Sequence, residues 1–469
     1  MRVFIISILL SLSVNAATDN IWYKGNIEDA FKLAKKSNTP LFLYWGAVWC
    51  PPCNMMKSKV FNTSIFKNEL KNFIPIYLDG DSKRAQVWGD KLKTSGYPTM
   101  IVLDSNAQEV SRLPIIQDSV QFVNQLKEIR NNLTSIKALS DKCIQKKCTS
   151  KEWTRLSLHS WMQEELIPEE KLEGIFYDLY IQSSKAKNLT QYSFLLLYLN
   201  KTKKKAYDPI ILKGINNLIS DKVALYENLM SLSYTTDKIK KLLNKKQLKI
   251  IKKVLKEVNA TSKDFSEKLA ILMIESNLEL RKKNEIINDI NIIDKKLSSS
   301  NLTKNERQNI MSDLIYSYMV NDELNIARKV CLREIEKSHS PYYFMSYMSS
   351  IEKKSKNMMK ALKWSRRAWQ ESKGPATRIQ WGSSYLRKAL EFKIVDFNKL
   401  HLNKDLTVYL NESKKTLGLF NGRNARSLKK LLEMVKKSED KSLTKLVSNL
   451  CNNSSEPKKC GNLKKEIGI

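Results

Sequence analysis

Cys50 and Cys53 stand two residues apart, directly after an apolar run and directly before a stretch of helical character. That placement leaves few folds open to the segment around them. The run is Leu41-Phe42-Leu43-Tyr44-Trp45, short and rich in aromatic residues, as a buried strand is. It leads through Gly46-Ala47-Val48 into Trp49-Cys50-Pro51-Pro52-Cys53, after which Asn54 to Leu70 reads as one long helix. Two cysteines at this spacing can close a small disulfide and reopen it by thiol exchange. At a helix start, backbone N–H groups and the helix dipole favour negative charge, so the first sulfur becomes a thiolate near neutral pH. Redox chemistry is the first expectation.

The flanking segments alternate in type. Ile27 to Lys36 has apolar residues at helical spacing and is ended by Pro40. Phe73 to Leu78 reads as a second strand, closed by Asp79-Gly80-Asp81, and a helix around Arg84–Leu92 follows. Gly96-Tyr97-Pro98-Thr99 precedes a strand over Met100–Leu103, Asp104-Ser105-Asn106 turns the chain into Glu109–Leu113, and a last helix runs from Ser119 to Asn131. The order α-β-α-β-α-β-β-α predicts a sheet covered on both faces by helices.

Beyond Asn132 the strand signals stop. Only 13 glycines and 11 prolines occur in 469 residues, which argues for long helices with few tight turns. Polar breaks fall near 184–189, 201–208, 259–264, 297–304 and 371–376. Between 308 and 390 they become regular: Tyr342–Lys353 and Met358–Ser372 read as an antiparallel pair, with Thr377–Phe392 starting the next. Ala361, Trp364, Ala368 and Trp369 share one stripe. A helix-turn-helix period of roughly 34 residues resembles the tetratricopeptide pattern, with its fixed small residues incomplete. Such arrays stack into curved surfaces.

A chain of this length exceeds a single core. Met1-Arg2, the apolar run Val3–Val14 and the ending Val14-Asn15-Ala16 read as a secretory signal cleaved after Ala16. The run is shorter than the roughly 20 residues a membrane span needs. The expected organisation is a signal peptide over 1–16, an α/β domain over 17–132 and an all-α region over 133–469, repeat-like around 308–390. The expected location is exported, periplasmic or secreted, and soluble.

Charge is uneven. Residues 17–130 carry 15 Lys and Arg against 11 Asp and Glu, while residues 131–469 hold 28 of the 33 net positive charges. A basic surface attracts acidic proteins, anionic lipid or nucleic acid. Because the lysines are dispersed in a chain also rich in Asn and Ile, a compositional bias with no partner behind it is the favoured reading. Export argues against nucleic acid, and contact with a membrane surface stays open with no residue to support it.

Seven cysteines in an exported chain can form disulfides. Cys143 and Cys148, like Cys451 and Cys460, are spaced for local bridges where the backbone leaves the helix; residues five apart on a regular helix face apart. Cys331 is left over, and a buried free thiol is expected. His159, His339 and His401 are scattered far from any cysteine pair, which speaks against a metal site.

The strand, Trp49-Cys50-Pro51-Pro52-Cys53, the helix behind it and Gly96-Tyr97-Pro98-Thr99 ahead of the next strand together resemble the thioredoxin-like superfamily, over about a quarter of the chain. The resemblance implies an α/β thioredoxin-like fold followed by a large all-α region. Its mechanism makes Cys50 the exposed nucleophile that forms a mixed disulfide and Cys53 the residue that resolves it. It makes Pro98 a cis-proline lying against the cysteines, with Tyr97 shaping substrate contact and Trp49 packing beside the site. No cofactor or metal is implied. The partners implied are protein thiols and disulfides and an upstream dithiol electron donor.

Two departures stand out. The buried acid found in thioredoxin six residues before the first cysteine is replaced by Tyr44, and no acid occurs in 41–49. Pro51-Pro52 leaves no N–H on either intervening residue, so only the Cys53 N–H and the dipole remain to hold a thiolate. The expectation is an exported protein-disulfide oxidoreductase working as reductase or isomerase. The helical region could then hold substrate, a protein partner or a second copy of the chain. The alternative is a helical-repeat binding or scaffold protein in which the redox domain is accessory.

Overall fold

The structure is a computed structural model that describes residues 21–116, 118–164, 166–186, 190–203, 207–392, 399–452, 454 and 456–468. The expected signal segment lies outside the described residues. The first domain runs α1 (Ile27–Ser37), β1 (Leu41–Gly46), α2 (Pro51–Met56), α3 (Ser64–Leu70), β2 (Ile74–Asp79), α4 (Lys83–Lys91), β3 (Thr99–Leu103), β4 (Glu109–Leu113) and α5 (Ser119–Asn131).

The strands form one sheet in the order β2-β1-β3-β4. β1 pairs parallel with β2, placing Tyr44 opposite Tyr77, and antiparallel with β3, placing Leu43 opposite Ile101. β1 is central and every one of its residues is buried, which explains its unbroken apolar run. Alternate side chains serve opposite faces. Phe42 and Tyr44 join Met100 and Val102 under Phe61, Phe66 and Phe122. Leu41, Leu43 and Trp45 join Ile101 and Leu103 under Ile27, Ala30, Ala34 and Ala85. The sheet is thus covered on both faces, as expected.

The long helix expected over 54–70 is broken. After α2 the chain makes a π-turn over Lys57–Phe61, and α3 begins afresh behind Thr63, whose Oγ1 accepts from the Phe66 N–H. Thr63 takes an extended backbone, and its hydroxyl also donates to the Val60 carbonyl at 2.6 Å. A short polar side chain bonding its own backbone in this way competes with continuation of the helix. The break sets Phe61 and Phe66 with ring centroids 4.9 Å apart.

Everything described after α5 is helix and connecting loop. Helices Lys304–Val320, Leu324–Lys337, Pro341–Lys354, Met358–Glu371 and Pro375–Phe392 follow one another through short links. Pro341 and Pro375 open alternate helices 34 positions apart, each at a first-turn position where a missing N–H costs nothing. Ala361, Ala368 and Trp369 face the interior, with Trp364 half-buried. Among the described residues no helix is long and apolar enough to cross a membrane.

Both local cysteine pairs are bonded. The chain leaves the helix Ile136–Ile144 through Lys146, whose φ is +65°, and this reversal brings Cys148 back to Cys143. Cys451 sits in a short 3-10 turn and meets Cys460 in the first turn of Pro457–Ile467. Cys331 is free and fully buried, and burial pushes its thiol well above the ordinary range.

Candidate functional site

Cys50 caps α2. Its backbone is extended, its Sγ accepts from the Cys53 N–H at 3.2 Å, and the two cysteines are disulfide-bonded. Pro51 and Pro52 fill the first two helical positions, so the Cys53 N–H is the first the helix can direct at that sulfur. Asn54 fixes the approach to the helix by donating from Nδ2 to the Val48 and Cys50 carbonyls at 2.9 and 3.0 Å.

The Tyr97–Pro98 bond is cis. The Tyr97 ring lies 4.2 Å from that of Trp45 and 5.8 Å from that of Trp49, and its hydroxyl meets Gln86 Nε2 at 3.3 Å. Burial pushes the Tyr97 phenol upward. The Pro98 carbonyl is already engaged, accepting from Gln163 Nε2 at 2.7 Å. Gln163 belongs to a segment anchored on β4 through His159, whose Nδ1 accepts from the Arg112 N–H and faces Ser111 Oγ, while Nε2 meets Glu164 at 2.9 Å. Burial pushes the His159 imidazole down, against the pull of Glu164. Tyr44, at the position of the missing acid, stacks on Tyr77 at 5.2 Å, and burial raises its phenol far above the usual range.

One expectation is overturned. Cys50 is only 2% exposed and Cys53 is fully buried. The covering layer is the helical region. Lys304–Val320 packs on α2, and Tyr342, Met345 and Ala368 join the same apolar cluster as Trp49, Cys50 and Cys53. Trp49 is gripped from several helices. Its Nε1 donates to Thr377 Oγ1 at 2.9 Å, its carbonyl accepts from Gln308 Nε2 at 3.4 Å, and its ring faces Tyr343 at 6.0 Å and Trp381 at 5.6 Å. His339, remote in sequence, donates from Nε2 to the Val48 carbonyl at 3.2 Å and so lands on the approach to the cysteines.

Thr377 also donates its N–H and hydroxyl to the two carboxylate oxygens of Asp81, at 2.7 and 2.8 Å. Burial pushes the Asp81 carboxyl upward, while these two bonds pull the other way. The neighbouring Gly374 has φ +92°, a conformation that lets the loop approach the Asp81 side chain. An open cleft of about 510 Å³, lined by Asp81, Lys83, Pro375, Arg378, Glu412 and Leu417 among others, borders this junction. Arg423, in the first turn of Gly422–Lys437, sets its guanidinium 4.7 Å from the Tyr97 ring centre and 5.4 Å from that of Trp49.

The five residues expected at the site therefore lie in one neighbourhood around Trp49 and Tyr97. Sequence reasoning missed Asp81, Gln163, Gln308, His339, Thr377 and Arg423. Asp81 alone carried a local signal, in the acidic turn Asp79-Gly80-Asp81 that follows β2. Among the described residues no cluster of His, Cys, Asp and Glu could hold a metal.

Residues 21–105 match the model of a thioredoxin-like family. No curated protein and no solved structure matches the chain. Strand order, cysteine pair and family match agree: the chain carries a thioredoxin-like domain, followed by a large all-helical region.

Proposed function

We propose that the protein is an exported thiol–disulfide oxidoreductase acting as a reductase or isomerase on protein disulfides. The observation that carries this reading is the Cys50–Cys53 pair at the head of α2, with the Cys53 N–H directed at Cys50 Sγ. In the reduced protein, the Cys50 thiolate attacks a substrate disulfide. One substrate sulfur leaves as a thiolate and takes a proton from water, and a mixed disulfide forms. Cys53 loses its proton and attacks Cys50 Sγ. The mixed bond breaks, the second substrate thiol leaves, and the Cys50–Cys53 disulfide holds the oxidising equivalents. A dithiol donor returns the pair to its reduced state. In isomerisation the substrate itself supplies the thiol that releases Cys50. Tyr97, Pro98 and Trp49 form the wall against which the substrate chain is held.

Burial adds a condition. A sulfur 2% exposed cannot meet a folded protein's disulfide until the helical layer draws back. Insulin reduction by the wild type, with none by Cys50→Ser, tests the chemistry; Cys53→Ala is expected to leave substrates covalently held on Cys50. The burial also favours a second reading, in which the helical region binds a partner and the dithiol is accessory. An inactive wild type whose reduced Cys50 resists alkylation in the native state supports that second reading and counts against the first.

A further inference from the structure

Arg423 stands out among the groups around the dithiol. Its guanidinium lies over the faces of Tyr97 and Trp49, yet it makes no hydrogen bond and no ion pair among the described residues. The residues beside it are spoken for. The Asn424 N–H is given to Gln86 Oε1 at 3.1 Å, Arg426 donates to the Thr94 carbonyl, and Asp81, whose charge also acts on Tyr97, is held by Thr377. The side chain is half-buried, so part of it still reaches solvent. A guanidinium offers five donors in a planar fork suited to a carboxylate. Withdrawing it from water without a counter-ion is costly, and two ring faces compensate only in part. The donors of Arg423 that still reach solvent are open to an anion. The helical region that supplies Arg423 carries most of the chain's positive charge, which favours acidic molecules over basic ones.

We propose that Arg423 is the anion-binding residue of the dithiol site and that it receives a carboxylate carried by the substrate next to its disulfide. This rests on the oxidoreductase reading and names the substrate class within it: disulfides flanked by Asp, Glu or a free chain terminus. Once the helical layer has drawn back far enough to admit the substrate, the carboxylate pairs bidentately with the guanidinium while the substrate backbone lies along Tyr97-Pro98.

The test uses the full chain with Cys50–Cys53 oxidised, so that no exchange takes place and binding is read apart from turnover. Two cystine-bridged peptides, identical except for Glu or Gln beside the cystine, are titrated while tryptophan fluorescence is followed. The Glu peptide is expected to bind about tenfold more tightly, as one charge-assisted pair gives. Arg423→Gln is expected to bring that ratio to about one, and Arg423→Lys to keep part of it. Equal binding by the wild type, or a preference that survives Arg423→Gln in a protein with unchanged circular dichroism, overturns the proposal. A third result also overturns it: peptides that bind alike while Arg423→Gln shifts the pH profile of Cys50 alkylation. That outcome assigns Arg423 to the thiolate instead. Arg423-dependent preference without insulin reduction leaves the anion site standing and removes the oxidoreductase reading, so the two failures are separable.

Discussion

Trp49 and Thr377 are 328 positions apart in the chain and 2.9 Å apart in the structure, joined by a hydrogen bond from the indole N–H to the threonine hydroxyl. Through Thr377 the residue before Cys50 is tied to Asp81 in the turn after β2. The dithiol loop is thereby held from the helical region as much as from its own sheet.

Replacing Thr377 by valine removes the acceptor for Trp49 and one donor to Asp81 while nearly preserving shape. Leaving two buried polar groups unmatched is expected to cost about 1–3 kcal/mol, read by urea denaturation. The reduced variant is also expected to alkylate faster at Cys50, because the covering helices are released. An unchanged alkylation rate removes this junction from the control of access.

Burial pushes the Asp313 carboxyl up to about 6, against a hydrogen bond from Ser266 that favours the charged form; Asp264 adds to the upward push. A carboxyl raised in the folded state binds its proton more tightly there than in the unfolded chain. Its stabilisation is therefore present below the ordinary carboxylate range and is lost as pH rises through about 6. Asp313→Asn is expected to flatten that part of the stability profile, where one proton changes stability by at most about 1.4 kcal/mol per pH unit. Thermal unfolding at a series of pH values between 4 and 7 checks this.

Cys331 is fully buried on Leu324–Lys337, and its thiol is pushed upward by burial and by the charge of Glu334. Iodoacetamide is expected to leave it unmodified in the native protein and to modify it in urea. Mass spectrometry after mild reduction separates its peptide from that of Cys50.

The Cys143–Cys148 bridge closes a loop of only a few residues, so opening it returns only a modest entropy to the unfolded chain. Serine at both positions is expected to lower stability by about 2 kcal/mol. Circular dichroism in urea gives the value, and the helix Ile136–Ile144 is expected to fray first at its C-terminal end.

What the sequence disclosed and what it concealed divide along sequence separation. Leu41–Trp45, Pro51-Pro52 and Gly96-Tyr97-Pro98-Thr99 are local signals, because strand burial, helix starts and an X–Pro bond are decided within a few residues. The spacing of both short cysteine pairs permitted local bridges, but whether they close depends on the helix breaks between them. The break at Thr63 was hidden, since no glycine or proline interrupts residues 54–70, and only the hydroxyl of Thr63 reveals the restart. Nothing around Gln308, His339, Thr377 or Arg423 marks them as neighbours of Cys50. Their residue types suit any helix surface, and only packing of helices hundreds of residues later brings them there.

The apolar cluster that contains Cys50 and Cys53 also contains Tyr342, Met345 and Ala368. A gene fragment ending at the close of α5 would encode a protein with Trp49 and its neighbours bared to water. The dithiol module is thus not portable. Recombination that moved it alone into another chain would deliver a sticky, aggregation-prone product, so the two regions are expected to be inherited as one unit.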